Sequence, residues 1–235
     1  MLAALLIAAA ALSLVWQPWP PADIDIAARL QPPSASHWLG TDSLGRDIAS
    51  QLLVGAQTSI AVGVLAVAIG LGAGVALGLV AAARGGWADE WLMRVADVGF
   101  AFPALLSAVL LGAVYGPGIA TGVVAIGLFN VPVFARTTRA AALGVWSREY
   151  VLAARAAGLG PWRITLDHVL PNVASVLIVQ ATVQFSTAII AEAALGYLGL
   201  GAQAPRPPWG RMPSEPHAQL SQAPWLLVYH GSASP

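Results

Sequence analysis

Ionisable side chains that could do chemistry are few in this sequence, and their spacing forms no known catalytic set. His168, Asp97 and Glu192 stand near apolar stretches, where ionisable groups raise the hypothesis of an intramembrane enzyme. No apolar stretch carries a His/Asp pair at i,i+4, and the HExxH and GxSxG motifs are absent. The absence of cysteine excludes thiolate chemistry. We therefore predict no catalytic residue, no metal ligand and no cofactor held by this chain.

A glycine-bounded segment, residues 40–47, superficially matches a phosphate-binding loop. Arg46 and Asp47 stand where that motif has Lys and Ser/Thr, and an aspartate there would repel phosphate. No apolar strand precedes the segment. We therefore reject nucleotide binding here and predict instead that Thr41 or Asp42 caps a helix through residues 47–55.

The overall composition excludes a water-soluble domain. Of the 235 residues, 57% are hydrophobic and 9% are charged, with a mean hydropathy of +0.72, whereas soluble domains carry roughly 25% charged residues. Basic and acidic residues are balanced at 11 each, so no net charge favours nucleic acid. Most of the surface must face lipid or other apolar helices. The predicted fold class is an all-α transmembrane bundle.

Stretches without charge predict five membrane-spanning helices, because about 20 apolar residues cross a bilayer. The predicted spans are residues 1–16, 59–83, 95–115, 119–136 and 172–195. The turn sequence Tyr-Gly-Pro-Gly separates the third span from the fourth. The first span lacks the basic start and the cleavage site of a signal peptide, so a helix is preferred to that alternative.

Arginines in the predicted loops set the orientation of the bundle. Segments 84–94 and 136–163 hold Arg84, Arg94, Arg136, Arg139, Arg148, Arg155 and Arg163, against Arg29, Arg46, Arg206 and Arg211 on the opposite side. This bias predicts that the first two segments are cytoplasmic and that residues 17–57 and 199–224 are periplasmic. Tryptophans flank the apolar stretches as an interfacial belt would, at Trp16, Trp19, Trp87, Trp91 and Trp146.

Two further spacings predict how the helices pack and pair. Gly70, Gly74 and Gly78 recur every four residues, and on one helical face they would let another backbone approach closely. Glu90–Arg94 and Arg94–Asp97 have the i,i+4 and i,i+3 spacings of helical ion pairs. These pairs are either a modest surface cluster or part of a docking site for a partner.

The most informative segment, residues 148–171, is too polar for lipid yet contains an alanine-rich helical run at 149–157. Gly158 is placed to end that helix, and Pro161 suits the first position of a second short helix. Pro171 would start the next span. The segment therefore predicts a helix–turn–helix projection on the cytoplasmic face, with an ordinary loop as the alternative.

This segment resembles the EAA loop of ABC importer permeases of the dipeptide/oligopeptide/nickel family. The family pattern is Glu-Ala-Ala, three residues, Gly, nine residues, then Ile-x-Leu-Pro. The spacing matches at Ala153, Ala154, Gly158, Leu170 and Pro171. Leu152 stands where the pattern has Glu, and His168 where it has Ile. Residues 37–47, 93–103, 192–201 and 207–212 also resemble segments of this family, so the likeness covers about residues 37–229.

The resemblance implies a division into three parts. Residues 1–36 hold the first transmembrane helix and the start of a periplasmic segment, and residues 37–229 form the permease domain with its coupling loop at 148–171. Residues 230–235 are an atypical short end. The family has six spans, and the residues from Pro224 onward supply about half of the sixth at 1.5 Å per residue. A non-functional permease remnant is therefore an alternative to a working subunit.

The resemblance also implies the partners and the site of a type I importer. Two permease subunits form the pathway, two cytoplasmic ATPase subunits bind the ATP, and a periplasmic or surface binding protein delivers peptides or, alternatively, nickel. The coupling loop docks its short helix in a cleft of the ATPase. Its implied residues are Glu149, Ala153, Ala154, Arg155, Gly158, Leu170 and Pro171.

Overall fold

The computed structural model describes residues 10, 11, 13, 16–21, 23–101 and 103–201. Within these residues the regular elements are helices, apart from an isolated antiparallel bridge between Thr41 and Asp47. The predicted all-α fold class is confirmed for this part of the chain. The described residues fall into two compact units, which we call the first unit (within Met1–Gly63, Ala108–Gly122 and Ile189–Pro235) and the second unit (Val64–Ser107 and Val123–Ala188).

The helices follow one another with short connections. A 3-10 helix, Ile26–Ala28, comes first. The longer elements are α1 (Ile48–Arg84), α2 (Gly86–Ala101), α3 (Ala104–Tyr115), α4 (Ile119–Trp146), α5 (Glu149–Ala156), α6 (Pro161–Ile164), a π-helical turn (Thr165–Val169) and α7 (Leu170–Tyr197).

Among the described residues, three helical stretches are long and apolar enough to cross a membrane. They are α1, α4 and the continuous helix Pro161–Tyr197, and α2 with α3 meets the same criterion as a bent pair. Four of the five predicted spans therefore have a helical counterpart. The predicted span 1–16 lies mostly outside the described residues.

The helices extend further than the predicted spans. The expected helix at 47–55 and the span at 59–83 form one continuous helix, α1. Most of segment 84–94, where a loop is predicted, is helical because α2 begins at Gly86. The turn between α1 and α2 is confined to Gly85 and Gly86, whose φ angles are +62° and +51°. Glycine adopts such angles without the steric cost of a Cβ. Charged residues in this segment indicate the membrane edge and do not end the helix.

The predicted third span, 95–115, is interrupted rather than continuous. α2 ends at Ala101, and Pro103 precedes α3. Proline has no backbone N–H and disfavours the helical conformation of the residue before it. Pro103 therefore accounts for the break between α2 and α3. By contrast, Pro132 lies inside α4, which continues past Arg136 to Trp146.

In the first unit, the carboxylate of Asp42 holds together the segment that leads into α1. It accepts hydrogen bonds from the backbone N–H groups of Leu44 (2.8 Å) and Arg46 (2.9 Å). It also accepts from the side chains of Arg46 (2.6 Å) and Gln51 (2.8 Å). Gly45, at φ +77°, lies so close to Asp25 that a Cβ would overlap the Asp25 carbonyl. The segment is an internally bonded turn.

The cap of α1 differs from the prediction. Asp47 is the capping residue, since its carboxylate accepts a hydrogen bond from the Ser50 N–H at 2.8 Å. Thr41 instead donates to the Ala28 carbonyl and accepts from the Gln31 N–H. The prediction of Thr41 or Asp42 was wrong because both side chains are engaged in folding the loop back on itself.

In the second unit, an apolar core packs α5 of the predicted projection together with the glycine-rich part of α1. Its fully buried side chains come from α4, α5, the 161–169 region and α7, at Phe134, Val151, Ile164, Val169 and Val173. Leu79 and Ala82 of α1 belong to the same cluster. Burial of such side chains contributes about 1.5–3 kcal/mol each, so the cluster ties α5 firmly to the second unit.

Candidate functional site

The short helix α5 ends in a Schellman motif. Gly158 has φ +82° and follows Ala157, the C-cap residue. The Gly158 N–H donates to the Arg155 carbonyl at 2.9 Å, and the Leu159 N–H donates to the Ala154 carbonyl at 3.1 Å, which is the hydrogen-bond pattern of this motif. A glycine at this position therefore sets the direction in which the chain leaves the helix.

α5 has one anchored face and one free face. Val151 is fully buried, and Ala154 and Leu159 pack against the same core. On the other face, four residues are exposed: Glu149, Leu152, Ala153 and Ala156. Leu152 has 51% of its surface exposed. Since residues 149, 152, 153 and 156 share one face of a helix, this face of α5 carries one large apolar side chain, that of Leu152.

Two arginines of this loop, Arg155 and Arg163, have partners within the chain. The guanidinium of Arg155 lies 4.9 Å from the centre of the buried Trp146 ring, a cation–π geometry. Arg163 pairs with Asp167 at 3.4 Å, and the guanidinium of Arg84 lies 5.9 Å from the ring centre of Trp162. Neither Arg155 nor Arg163 is therefore an unpaired cation waiting for an acidic partner.

The second half of the loop departs from the prediction of two separate short helices. Pro161 occupies the first turn of α6, as expected, but α6 runs without a break through the π-helical turn into α7. The Leu170 N–H donates to the Thr165 carbonyl, an i→i−5 bond. Pro171 has no N–H to donate, so the wider turn lies directly before it. Leu170 and Pro171 are thus the first α-helical residues after the π-helical turn, within one continuous helix that begins at Pro161.

The predicted glycine face packs α1 against α4 in the second unit. A Cβ on Gly70 would lie 2.3 Å from the Asn130 Cβ, and one on Gly74 would lie 2.5 Å from the Val131 carbonyl oxygen. A Cβ on Gly78 would lie 2.5 Å from the Ala135 carbonyl oxygen. The residue numbers of the facing positions increase in the same direction along both helices, so these stretches of α1 and α4 run parallel. Any larger side chain would force the two backbones apart.

The sequence did not reveal the ion pairs between α2 and α4. Asp89 accepts two hydrogen bonds from the Arg139 guanidinium, and Arg136 donates to Asp97. The expected Glu90–Arg94 pair is present at 2.6 Å, but the ion pair of Asp97 is with Arg136 instead of Arg94. Two arginines at the end of an apolar stretch signal a need for counter-charges, but they do not identify which carboxylates supply them.

Two buried polar pairs were also missed. In the first unit, Ser59 donates to the Glu192 carboxylate at 2.7 Å. In the second unit, the Gln184 side chain donates to the Asn130 amide oxygen at 2.8 Å, while the Asn130 side-chain nitrogen is buried with no hydrogen-bond partner among the described residues. Both pairs join residues far apart in sequence, so local spacing carries no signal of them.

The structure does not combine His168, Asp97 and Glu192 into a catalytic group. Asp97 pairs with Arg136 and Glu192 with Ser59, while the His168 ring lies 6.1 Å from that of Tyr150 in an edge-on contact. No group of three metal-ligating His, Asp or Glu side chains occurs in the described part of the chain.

Comparison with known proteins gives this geometry its context. The chain is 43% identical over 210 residues to the dipeptide transport system permease protein DppC of Alkalihalophilus pseudofirmus, covering 89% of this chain and 69% of that protein. It is 42% identical over 197 residues to the glutathione transport system permease protein GsiD of Pectobacterium atrosepticum, covering 84% and 65% respectively. The chain thus spans about two thirds of the length of these relatives.

A solved structure supports the fold, and a family model gives the family. The inward-facing MetNI methionine ABC transporter matches with a TM-score of 0.63 at 19% identity, over 77% of this chain and 88% of that one, which supports the fold. Residues 74–226 match the family model described as "Binding-protein-dependent transport system inner membrane component". The chain therefore belongs to the family of binding-protein-dependent transport system inner membrane components and is a multi-pass inner-membrane protein.

Proposed function

We propose that this chain is the permease subunit of an ATP-driven importer of short peptides. Its relatives are named for dipeptide and glutathione transport, and a shared permease scaffold favours cargo of that size and polarity. The chain pairs with a second permease subunit to form the pathway. It contributes no catalytic residue, and ATP is bound by two separate ATPase subunits.

The 148–171 loop is the proposed site of contact with the ATPase. The observation that carries this role is α5 itself, a helix fixed by Val151 on one side and exposing Leu152, Ala153 and Ala156 on the other. Small side chains allow another protein to approach the helix closely. A rigid attachment allows movement of the ATPase to be passed to the core of the second unit.

The exit turn at Gly158 allows a sharp test of this role. Gly158→Val places a β-branched residue at φ +82°, which is strongly disfavoured, and should misdirect the loop without touching the α1–α4 packing. Gly160→Val is the matched control, because Gly160 has φ −71° and open space where a Cβ would lie. The measurement is the amount of ATPase co-purified with each variant of the assembled importer.

A second variant separates steric blocking from misdirection. Ala153→Arg adds a long side chain to the exposed face of α5 and leaves the Gly158 turn intact. We expect Gly158→Val and Ala153→Arg to lose the ATPase, with membrane insertion normal in both, while Gly160→Val retains it. Wild-type recovery of ATPase with both variants would refute the docking role.

The orientation is part of the same proposal. The Arg-rich 136–163 segment and the 148–171 loop are cytoplasmic, and the residues before α1 are periplasmic. Because the chain has no cysteine, single-cysteine variants report the side directly. Membrane-impermeant reagent added outside spheroplasts should label Ser34→Cys and spare Ser147→Cys, and the reverse pattern would invert the topology.

A further inference from the structure

Two buried hydrogen-bond donors on α4 lack acceptors in the second unit. The side-chain nitrogen of Asn130 and the hydroxyl of Thr138 have no hydrogen-bond partner among the described residues. Asn130 is 2% exposed and Thr138 is fully buried. A buried donor without an acceptor has lost its hydration and gained nothing in return. A packing that supplied acceptors would therefore suit both side chains better than the one described here.

Both donors lie at the contact between α4 and the glycine face of α1, which we call the glycine seam (Gly70, Gly74 and Gly78). A Cβ on Gly70 would lie 2.3 Å from the Asn130 Cβ, and one on Gly78 would lie 2.7 Å from the Thr138 Cβ. The two side chains therefore lie directly against the backbone of α1. Each α1 carbonyl oxygen keeps a second lone pair after accepting its helical hydrogen bond, so acceptors are present beside both donors.

The glycine seam also allows movement of α4 against α1. Every fourth residue of α1 from Ala66 to Ala82 is alanine or glycine, so this face carries no long side chain that would interlock with α4. Small residues let helix backbones approach closely, and sliding of packed helices is a recurrent form of conformational change. The seam therefore combines a smooth surface with donors that one position leaves unpaired.

Gln184 connects the seam to the helix that begins in the 148–171 loop. Its side chain is buried and donates to the Asn130 amide oxygen at 2.8 Å. Gln184 belongs to the continuous helix Pro161–Tyr197, whose first residues are part of that loop. A displacement of this helix therefore acts on Asn130 through a buried hydrogen bond, which is costly to break without a substitute.

We propose that the glycine seam has a second packing in the transport cycle, in which Asn130 and Thr138 donate to backbone carbonyls of α1. This inference rests on the proposed function, because the movement starts where the ATPase contacts the 148–171 loop. Gln184 carries the movement to α4, and the two donors stabilise the second packing relative to the one described here. Asn130, Thr138 and Gln184 are thus positioning residues for transport.

Thr138→Val gives a signature that a purely structural role would not produce. Valine has nearly the shape of threonine without the hydroxyl, so it relieves the described packing and removes a hydrogen bond from the second one. The measurement is the unfolding midpoint of this chain, carrying a fluorescent tag, in the assembled importer. Size-exclusion chromatography after heating compares the nucleotide-free and vanadate-trapped states. We expect the midpoint to rise by about 2–4 °C in one state and to fall by about as much in the other.

Two variants control for the change in shape. Thr58 is also buried, but its hydroxyl donates to the Val54 carbonyl at 3.1 Å within α1, so Thr58→Val should shift the midpoint equally in both states. Thr138→Ser keeps the donor and should restore the wild-type difference between the states. A Thr138→Val shift of equal sign and size in the two states overturns the second packing. A Thr138→Ser difference equal to that of Thr138→Val overturns it as well.

Uptake in proteoliposomes tests the link through Gln184. Gln184→Met keeps a similar length but removes the amide. With a purified dipeptide-binding protein and labelled Ala-Ala, we expect uptake per ATP hydrolysed to fall about fivefold or more. Gln180→Met is the matched control, because Gln180 lies one turn earlier on the same helix and is less buried. Equal ratios in the two variants overturn the route through Gln184.

These outcomes separate the inference from the proposed function. A wild-type importer that traps nucleotide but does not take up Ala-Ala counts against the proposed cargo, while the midpoint comparison still reports on the seam. Thr138→Val midpoints equal to wild type in both states, together with normal wild-type uptake, overturn the second packing and leave the permease role standing.

Discussion

Two loops of this permease are held in place by different means. The 16–47 segment is fixed by polar side chains, above all the Asp42 carboxylate with its four hydrogen bonds. The 148–171 loop is fixed by apolar burial of Val151 and by backbone hydrogen bonds around Gly158. The first loop should therefore be sensitive to loss of hydrogen-bonding groups, and the second to changes in volume and backbone freedom.

The largest expected effect is in the polar loop. Asp42→Ala removes a buried acceptor, since Asp42 is 5% exposed, and deprives the Leu44 N–H and the Gln51 amide of their partner. We expect a loss of about 3–5 kcal/mol in the free energy of unfolding. Denaturation of the purified protein in detergent measures it. The exposed Asp23→Ala is the control, and an equal effect of the two changes would contradict the comparison.

Val151→Ala should have the next largest effect. Removing two methyl groups from a fully buried site leaves a cavity, and we expect a cost of about 2 kcal/mol. Hydrogen exchange should accelerate in α5 and remain unchanged in the 16–47 segment. Leu152→Ala deletes a larger but half-exposed side chain and should cost much less. A greater loss from Leu152 than from Val151 would reverse the assignment of the anchored face.

Gly158→Ala should cost about 1 kcal/mol, because a Cβ in the left-handed conformation crowds the following carbonyl. Gly160→Ala should be close to neutral, since its φ of −71° suits any residue. Hydrogen exchange of the Leu159 amide, which donates to Ala154, reports the change locally. Equal exchange rates in the two variants would remove the requirement for glycine at this turn.

The smallest effect is expected at the exposed Arg163–Asp167 pair. Its 3.4 Å separation and high exposure limit Arg163→Ala to about 0.5 kcal/mol or less. Arg155→Ala should cost slightly more, about 0.5–1 kcal/mol, because Arg155 lies over the Trp146 ring. Thermal unfolding at low and high salt compares them, and a strong salt dependence of the Arg163 variant would show that this pair contributes more than its exposure allows.

Sequence reasoning succeeded where the constraint was local or compositional. Charge-free stretches located α1, α4 and α7 because lipid excludes unpaired charge. The end of α5 was predictable because glycine readily adopts the positive φ found at Gly158. The start of α6 was predictable because proline suits the first turn of a helix. The glycine spacing in α1 indicated a packing face for a similar reason, since absence of a Cβ is visible in the sequence itself.

Sequence reasoning failed where a residue distant in sequence determines the local structure. α4 continues through Arg136 and Arg139 because Asp97 and Asp89 neutralise them, and no local signal couples those positions. Asp42 was mistaken for a helix cap because its four donors become neighbours only when the loop folds. The Ser59–Glu192 bond joins residues separated by 133 positions, beyond the reach of any periodic pattern.

The π-helical turn at Thr165–Val169 has a consequence for helical phase. A π turn accommodates one residue more than the α-helical repeat, and one residue corresponds to about 100° of rotation. The turn therefore sets the rotation of α6 relative to α7 about their common helix axis. Deleting a single residue from this turn would turn everything before it by about a quarter of a revolution, including the face that α5 presents.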